Sequence, residues 1–159
     1  MDEFSRNTSC CFTGHRPEKI DISPFEAKEK LRVAIKQAIT DGFTTFISGM
    51  ARGTDMWAAE LVIEEKKYNK DIHLICALPH PDFEKKWSAD NQNLFNYILS
   101  QADEVHTVCD RFSMGAYMIR NKWMVDRSSL VIAFFNGSKG GTKNTIDYAN
   151  KNGIETIIL

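Results

Sequence analysis

The sequence predicts an α/β fold: a doubly wound, mainly parallel sheet of about six strands with helices on both faces. Three observations predict it. Short apolar runs alternate with amphipathic segments along the whole chain. The run from Ile72 to Leu78 is apolar almost without interruption, as a parallel strand buried on both faces must be. Two of the runs end in glycine-rich loops that each open a helix. The 159 residues suit one domain spanning 1–159, and no internal repeat, linker or low-complexity tract divides them.

The elements follow in order. Residues 1–8 are polar and are expected to fray. Ser9 to Thr13 reads as the first strand, ended by Gly14-His15-Arg16-Pro17. Pro24 to Ile39 places Leu31, Ala34, Ile35 and Ala38 at helical spacing, with Ser23 as N-cap, Pro24 in the first turn and Gly42 just past the end. Phe43 to Ser48 is the second strand. Thr54 to Lys67 is the second helix, with Thr54 or Asp55 suited to its N-cap. The third strand, Ile72 to Leu78, stops at Pro79-His80-Pro81. Phe83 to Ser100 reads as mostly helical, interrupted near Ser88-Ala89-Asp90. Glu104 to Cys109 is a strand, Tyr117 to Arg127 a helix and Leu130 to Phe135 a strand. Thr145 to Lys151 is the last helix, ended by Asn152-Gly153, and Glu155 to Leu159 the last strand.

Bulk properties exclude several functions. The net charge of −1 gives no global basic field for nucleic acid. The four cysteines form no CxxC pair, so neither a zinc site nor a disulfide framework is indicated, and no metal is predicted. No apolar run approaches ~18 residues and no signal peptide is recognisable, which gives the expectation of a cytoplasmic protein without a membrane partner.

The chemistry concentrates in the loops that follow the strands, which a parallel sheet gathers at its carboxyl edge. The loop Ser48-Gly49-Met50-Ala51-Arg52-Gly53-Thr54-Asp55 joins strand to helix. Glycine admits close backbone approach, free N–H groups of a first helical turn attract an anion, and Arg52 can take a phosphate bidentately. Asn136-Gly137-Ser138-Lys139-Gly140-Gly141-Thr142 is a second such loop. Gly14, His15 and Arg16 lie after the first strand, and Arg120 and Asn121 on the helix after the fourth. Trp57, Trp87 and Trp123 fall in helical stretches and read as face-covering residues.

Thr13-Gly14-His15-Arg16-Pro17, the loop Ser48 to Asp55, Arg120-Asn121-Lys122-Trp123-Met124-Val125-Asp126 and Gly140-Gly141-Thr142 together resemble the bacterial YpsA-like family of unknown function. That family belongs to the SLOG superfamily of Rossmann-like domains, with the LOG phosphoribohydrolases and DNA-processing protein A. The resemblance implies a Rossmann-like fold and a nucleotide or nucleotide-derived ligand, ADP-ribose included. The loop from Ser48 is similar to the Ser-Gly-x-Ala-Arg-Gly-Ile-Asp signature of DNA-processing protein A, where it helps bind single-stranded DNA. Arg120 and Met124 match the Arg-Lys-x-x-Met pattern of LOG enzymes, which implies a catalytic role for Arg120. Gly141-Thr142 matches part of the LOG Pro-Gly-Gly-x-Gly-Thr-x-x-Glu pattern, but Thr145 stands where the catalytic Glu belongs. Cleavage of an N-glycosidic bond needs a carboxylate to steady an oxocarbenium-like state, and only Asp55 or Asp147 remains to supply one.

The expectation is therefore a sensor or regulatory domain that binds a phosphate-bearing nucleotide through Gly14, His15, Arg16, Ser48, Gly49, Arg52, Gly53, Thr54, Asp55, Asn121, Gly140, Gly141 and Thr142. A nucleoside-monophosphate N-glycosidase built on Arg120 and a single-stranded nucleic-acid module are the alternatives. Self-association into a homo-oligomer is compatible with each.

Overall fold

The strands carry apolar side chains on both faces, so both faces must be covered. In the computed structural model, which describes residues 4–159, β1 (Ser9–Gly14) points Cys10 and Phe12 into one layer and Cys11 into the other. The chain continues as α1 (Pro24–Thr40), β2 (Thr45–Ser48), α2 (Thr54–Lys66), β3 (His73–Leu78) and α3 (Ala89–Gln101). It ends with β4 (Glu104–Thr107), α4 (Ala116–Asp126), β5 (Leu130–Phe134), α5 (Gly141–Lys151) and β6 (Glu155–Ile158). The six strands are all parallel, in the order β4-β3-β2-β1-β5-β6.

α1, α2 and α3 bury Leu31, Met56, Val62 and Ile98 against Phe12, Phe46 and Leu74 on one face. α4 and α5 bury Met124, Val125 and Ala149 against Ile47, Ile75 and Val131 on the other. This is the doubly wound Rossmann-like architecture. The chain winds outward from β1 to β4, then returns to place β5 on the other side of β1. The loops leaving β1 and β5 diverge toward opposite faces, and the crevice between them is where doubly wound sheets hold ligands.

Local chemistry sets the boundaries. Ser23 caps α1, its Oγ accepting the Glu26 N–H at 3.1 Å. Four expectations need correction. The segment Phe83–Trp87 consists of turns, because Ser88 accepts the Asn91 N–H at 3.2 Å and starts α3 only at Ala89. α5 starts at Gly141 rather than Thr145, since the glycine pair itself forms the first turn. The N-cap of α2 is Gly53, with φ 85°, and neither Thr54 nor Asp55. A Cβ there would lie 2.8 Å from the His15 carbonyl oxygen and from Pro17 Cδ, so the cap must be glycine. Finally, Ser5 caps a short turn at Arg6–Thr8, and of the segment expected to fray residues 1–3 lie outside the described residues. Among the described residues no helix is long and apolar enough to cross a membrane.

Candidate functional site

The loops after β1, β2 and β5 converge on a cleft of about 540 Å³ at the carboxyl edge of the sheet, within the size range of small-molecule sites. Of the residues expected at the site, Gly14, His15, Arg16, Arg52, Asp55, Arg120, Asn121, Gly140, Gly141 and Thr142 line it. Ser48, Gly49, Gly53 and Thr54 stand behind that surface and hold it in shape.

The two glycine loops differ in what they offer. The N-terminus of α2 is satisfied internally. The Thr54 hydroxyl donates to the His15 carbonyl at 3.1 Å, and the Met56 N–H donates to the Ala51 carbonyl at 3.2 Å. Ser48 Oγ donates to the Asp55 carbonyl at 2.8 Å and accepts the Met50 N–H at 3.2 Å. Gly14 packs so closely on this turn that a Cβ would lie 2.3 Å from Thr54 Oγ1. The N-terminus of α5 is open. Its N-cap, Gly140 (φ 143°), supplies no side-chain cap, and a Cβ there would meet nothing within 4 Å. Gly141 and Thr142 begin the helix on the cleft wall beside Lys139. The unpaired N–H groups of a first turn, the helix dipole and a neighbouring ammonium all favour an anion there.

Two buried, oppositely charged side chains form part of the wall, each hydrogen-bonded to other groups and with no ion pair within 4 Å between them among the described residues. Arg120 is 4% exposed and Asp55 6% exposed. Arg120 donates from Nε to Asn121 Oδ1 at 2.8 Å, and from Nη1 to the carbonyls of Gly49 and of Ala77, the latter at 3.2 Å. Asp55 Oδ2 accepts the Ala51 N–H at 3.2 Å. Its Oδ1 is buried without a hydrogen-bond partner among the described residues. Burial pushes the Asp55 carboxyl up to about 6 against the opposing pull of Arg120, and burial pushes Arg120 down from its ordinary value. Gly49 makes the approach possible, because a Cβ there would lie 2.9 Å from Arg120 Cζ and 3.0 Å from Asp55 Oδ2.

The remaining residues divide by partner. His15 accepts the Asn136 N–H at Nε2, 3.1 Å away, which ties the β1 loop to the β5 loop, and burial lowers its pKa from the ordinary value. Arg52 is engaged by Glu18, at 2.8 and 3.4 Å. Thr145 is fully buried and its hydroxyl donates to the Gly141 carbonyl at 2.8 Å. Asp147 pairs with Lys143 on the exposed side of α5, whereas Asp55 is the carboxylate that the fold brings to the cleft.

Lys19, Phe83, Trp87, Tyr117 and Lys139 also line the cleft and were not among the expected site residues. The available signal was position: each lies in, or just after, a segment leaving the carboxyl end of a strand. Trp57 and Trp87 pack on the core and Trp123 stacks under Arg127 at 4.1 Å, as the face-covering reading expects; Trp87 in addition lines the cleft.

Comparison with known proteins places this geometry in a lineage. The chain is 35% identical over 137 residues to the uncharacterized SPbeta prophage-derived protein YoqJ of Bacillus subtilis (strain 168), covering 78% of this chain and 80% of that one. It is 28% identical over 150 residues to a UPF0398 protein of Bacillus thuringiensis (strain Al Hakam), covering 89% and 82%. Two solved structures share the fold. DNA processing protein A from Streptococcus pneumoniae superposes with a TM-score of 0.70 at 16% identity, over 96% of this chain and 50% of that one. The protein of that name from Helicobacter pylori, described for its single-stranded DNA binding mode, gives 0.67 at 19%, over 97% and 65%. The chain thus spans half to two thirds of those proteins. The YpsA family model, described as the YspA SLOG family, matches residues 10–156, and the chain belongs to that family.

Proposed function

We propose that the cleft binds a nucleotide or nucleotide-derived phosphate ligand, ADP-ribose among them, and that the protein acts as a sensor or regulatory domain. The observation that carries this reading is the open N-terminus of α5, where Gly141, Thr142 and Lys139 line the same cleft as Arg16, Lys19 and Arg120. A phosphate sits at that helix end, with the cations neutralising its charge. Asp55 lines the same wall, so a ligand hydroxyl that reaches it finds a carboxylate acceptor. The LOG-type alternative lacks its Glu, because Thr145 is buried and internally bonded, and rests on Asp55 as the carboxylate at the cleft.

Titration of the purified protein with AMP, ADP-ribose and NAD, followed by thermal shift, tests the reading. A ligand at 100 times its dissociation constant stabilises the fold by about 2.7 kcal/mol. Charge reversal at two exposed positions, Lys139→Glu with Lys19→Glu, is expected to abolish the shift; an undiminished shift sinks the assignment. Single-stranded nucleic acid is the second reading, favoured by the Helicobacter pylori neighbour. It predicts oligonucleotide binding whose affinity falls steeply with salt.

A further inference from the structure

The cleft also carries an aromatic wall that the phosphate does not explain. Phe83, Trp87 and Tyr117 line it together with the cations. These rings are held in place. Phe83 and Trp87 pack edge-on against the buried Phe95 at 5.6 and 5.7 Å between centroids, and against each other at 5.2 Å. Tyr117 sits in the first turn of α4 and is 42% exposed. Its ring stands at 90° to that of the buried His80, with centroids 5.7 Å apart. His80 Nδ1 donates to the Pro81 carbonyl at 2.8 Å, which leaves Nε2 as the acceptor for the Tyr117 hydroxyl at 3.4 Å. The hydroxyl therefore has a partner inside the protein, and the ring is preorganised. Fixed aromatic faces suit a flat π-system, because stacking on them orders no additional side chain.

We infer that Phe83, Trp87 and Tyr117 form the nucleobase subsite of the cleft, with Tyr117 held for stacking by His80. This rests on the phosphate reading given above, and it fixes the polarity of the ligand: base on the aromatic wall, phosphate at the N-terminus of α5. Recognition by stacking tolerates any base, since every base presents a π-face.

Calorimetric titration with two probes tests the subsite: AMP, and ribose 5-phosphate, which lacks only the base. AMP is expected to bind about ten- to a hundredfold more tightly, the range of base–aromatic stacking. Tyr117→Ala should erase most of that ratio and leave the ribose 5-phosphate affinity unchanged, while Tyr117→Phe, which keeps the ring and its packing on His80 but loses the hydroxyl, keeps most of it. Equal affinity of the two probes for the unaltered protein overturns the base subsite and leaves the phosphate site standing. A Tyr117→Ala protein that melts normally and loses affinity for both probes equally also overturns it. Failure of both probes to bind overturns the subsite and the phosphate reading together.

Discussion

Asp55→Asn is the most informative single change, because it asks whether the wall of the cleft is stable at the fold's expense. Asp55 is almost fully buried, and one carboxylate oxygen has no partner among the described residues. Its pKa rises from 3.8 to about 6, burial outweighing the attraction of Arg120. That rise converts to about 3 kcal/mol of preference for the protonated form in the folded state. The folded pKa exceeds the unfolded one, so the proton's stabilisation is fully present below about pH 3.8 and is lost as the pH climbs through about 6. Asparagine imitates the protonated acid in shape and charge. At pH 7.5 Asp55→Asn is therefore expected to be more stable than the unaltered protein, by up to about 3 kcal/mol, or about 6–12 °C in Tm at this size. Near pH 4 the gap should shrink below about 1 kcal/mol, because both folded proteins are then neutral at this position. Thermal melts of the two proteins from pH 4 to 8 read the difference directly, and titrations common to both cancel. A variant less stable than the parent at pH 7.5 would refute the reasoning, since it would mean that attraction to Arg120 exceeds the burial penalty. A stability gap that does not change with pH would mean that Asp55 does not titrate in this range. The same variant should bind nucleotide less well, the usual exchange between stability and a buried functional group.

Two further outcomes follow from the geometry. Gly14→Ala places a Cβ 2.3–2.5 Å from the Thr54 side chain, so overpacking should destabilise the fold by about 1–3 kcal/mol, visible in a urea melt; an unchanged midpoint refutes the close approach of the β1 loop to α2. Glu18→Gln releases Arg52 from its exposed carboxylate partner, which should change stability by less than about 1 kcal/mol. It should also tighten pyrophosphate binding severalfold at low salt; unchanged affinity would place Arg52 outside the ligand's reach.

The architecture was legible because it follows from local rules. Alternating apolar runs and capped amphipathic segments dictate strands and helices, and near-continuous hydrophobicity in β3 dictates a parallel sheet covered on both faces. The loops of the candidate site were legible for the same reason, since parallel strands place all of them at one edge. What the sequence could not decide was which loop groups remain free. The two glycine loops look alike in sequence, yet the first is closed by the His15 carbonyl and its own Asp55, and the second is open. That distinction depends on contacts between residues about forty positions apart. The proximity of Asp55 and Arg120 was hidden likewise, because their charges come near one another only where α2 and α4 reach the end of the sheet from opposite faces. Trp87 covers the core as its sequence suggests, but its second role on the cleft wall was not legible, because that wall is assembled from loops distant in the chain. Sequence alone determined the alternation of strands and helices, their parallel arrangement and the edge at which the candidate site lies. Tertiary structure decided which polar groups are already satisfied there, because hydrogen-bond satisfaction and desolvation are set by neighbours distant in the chain.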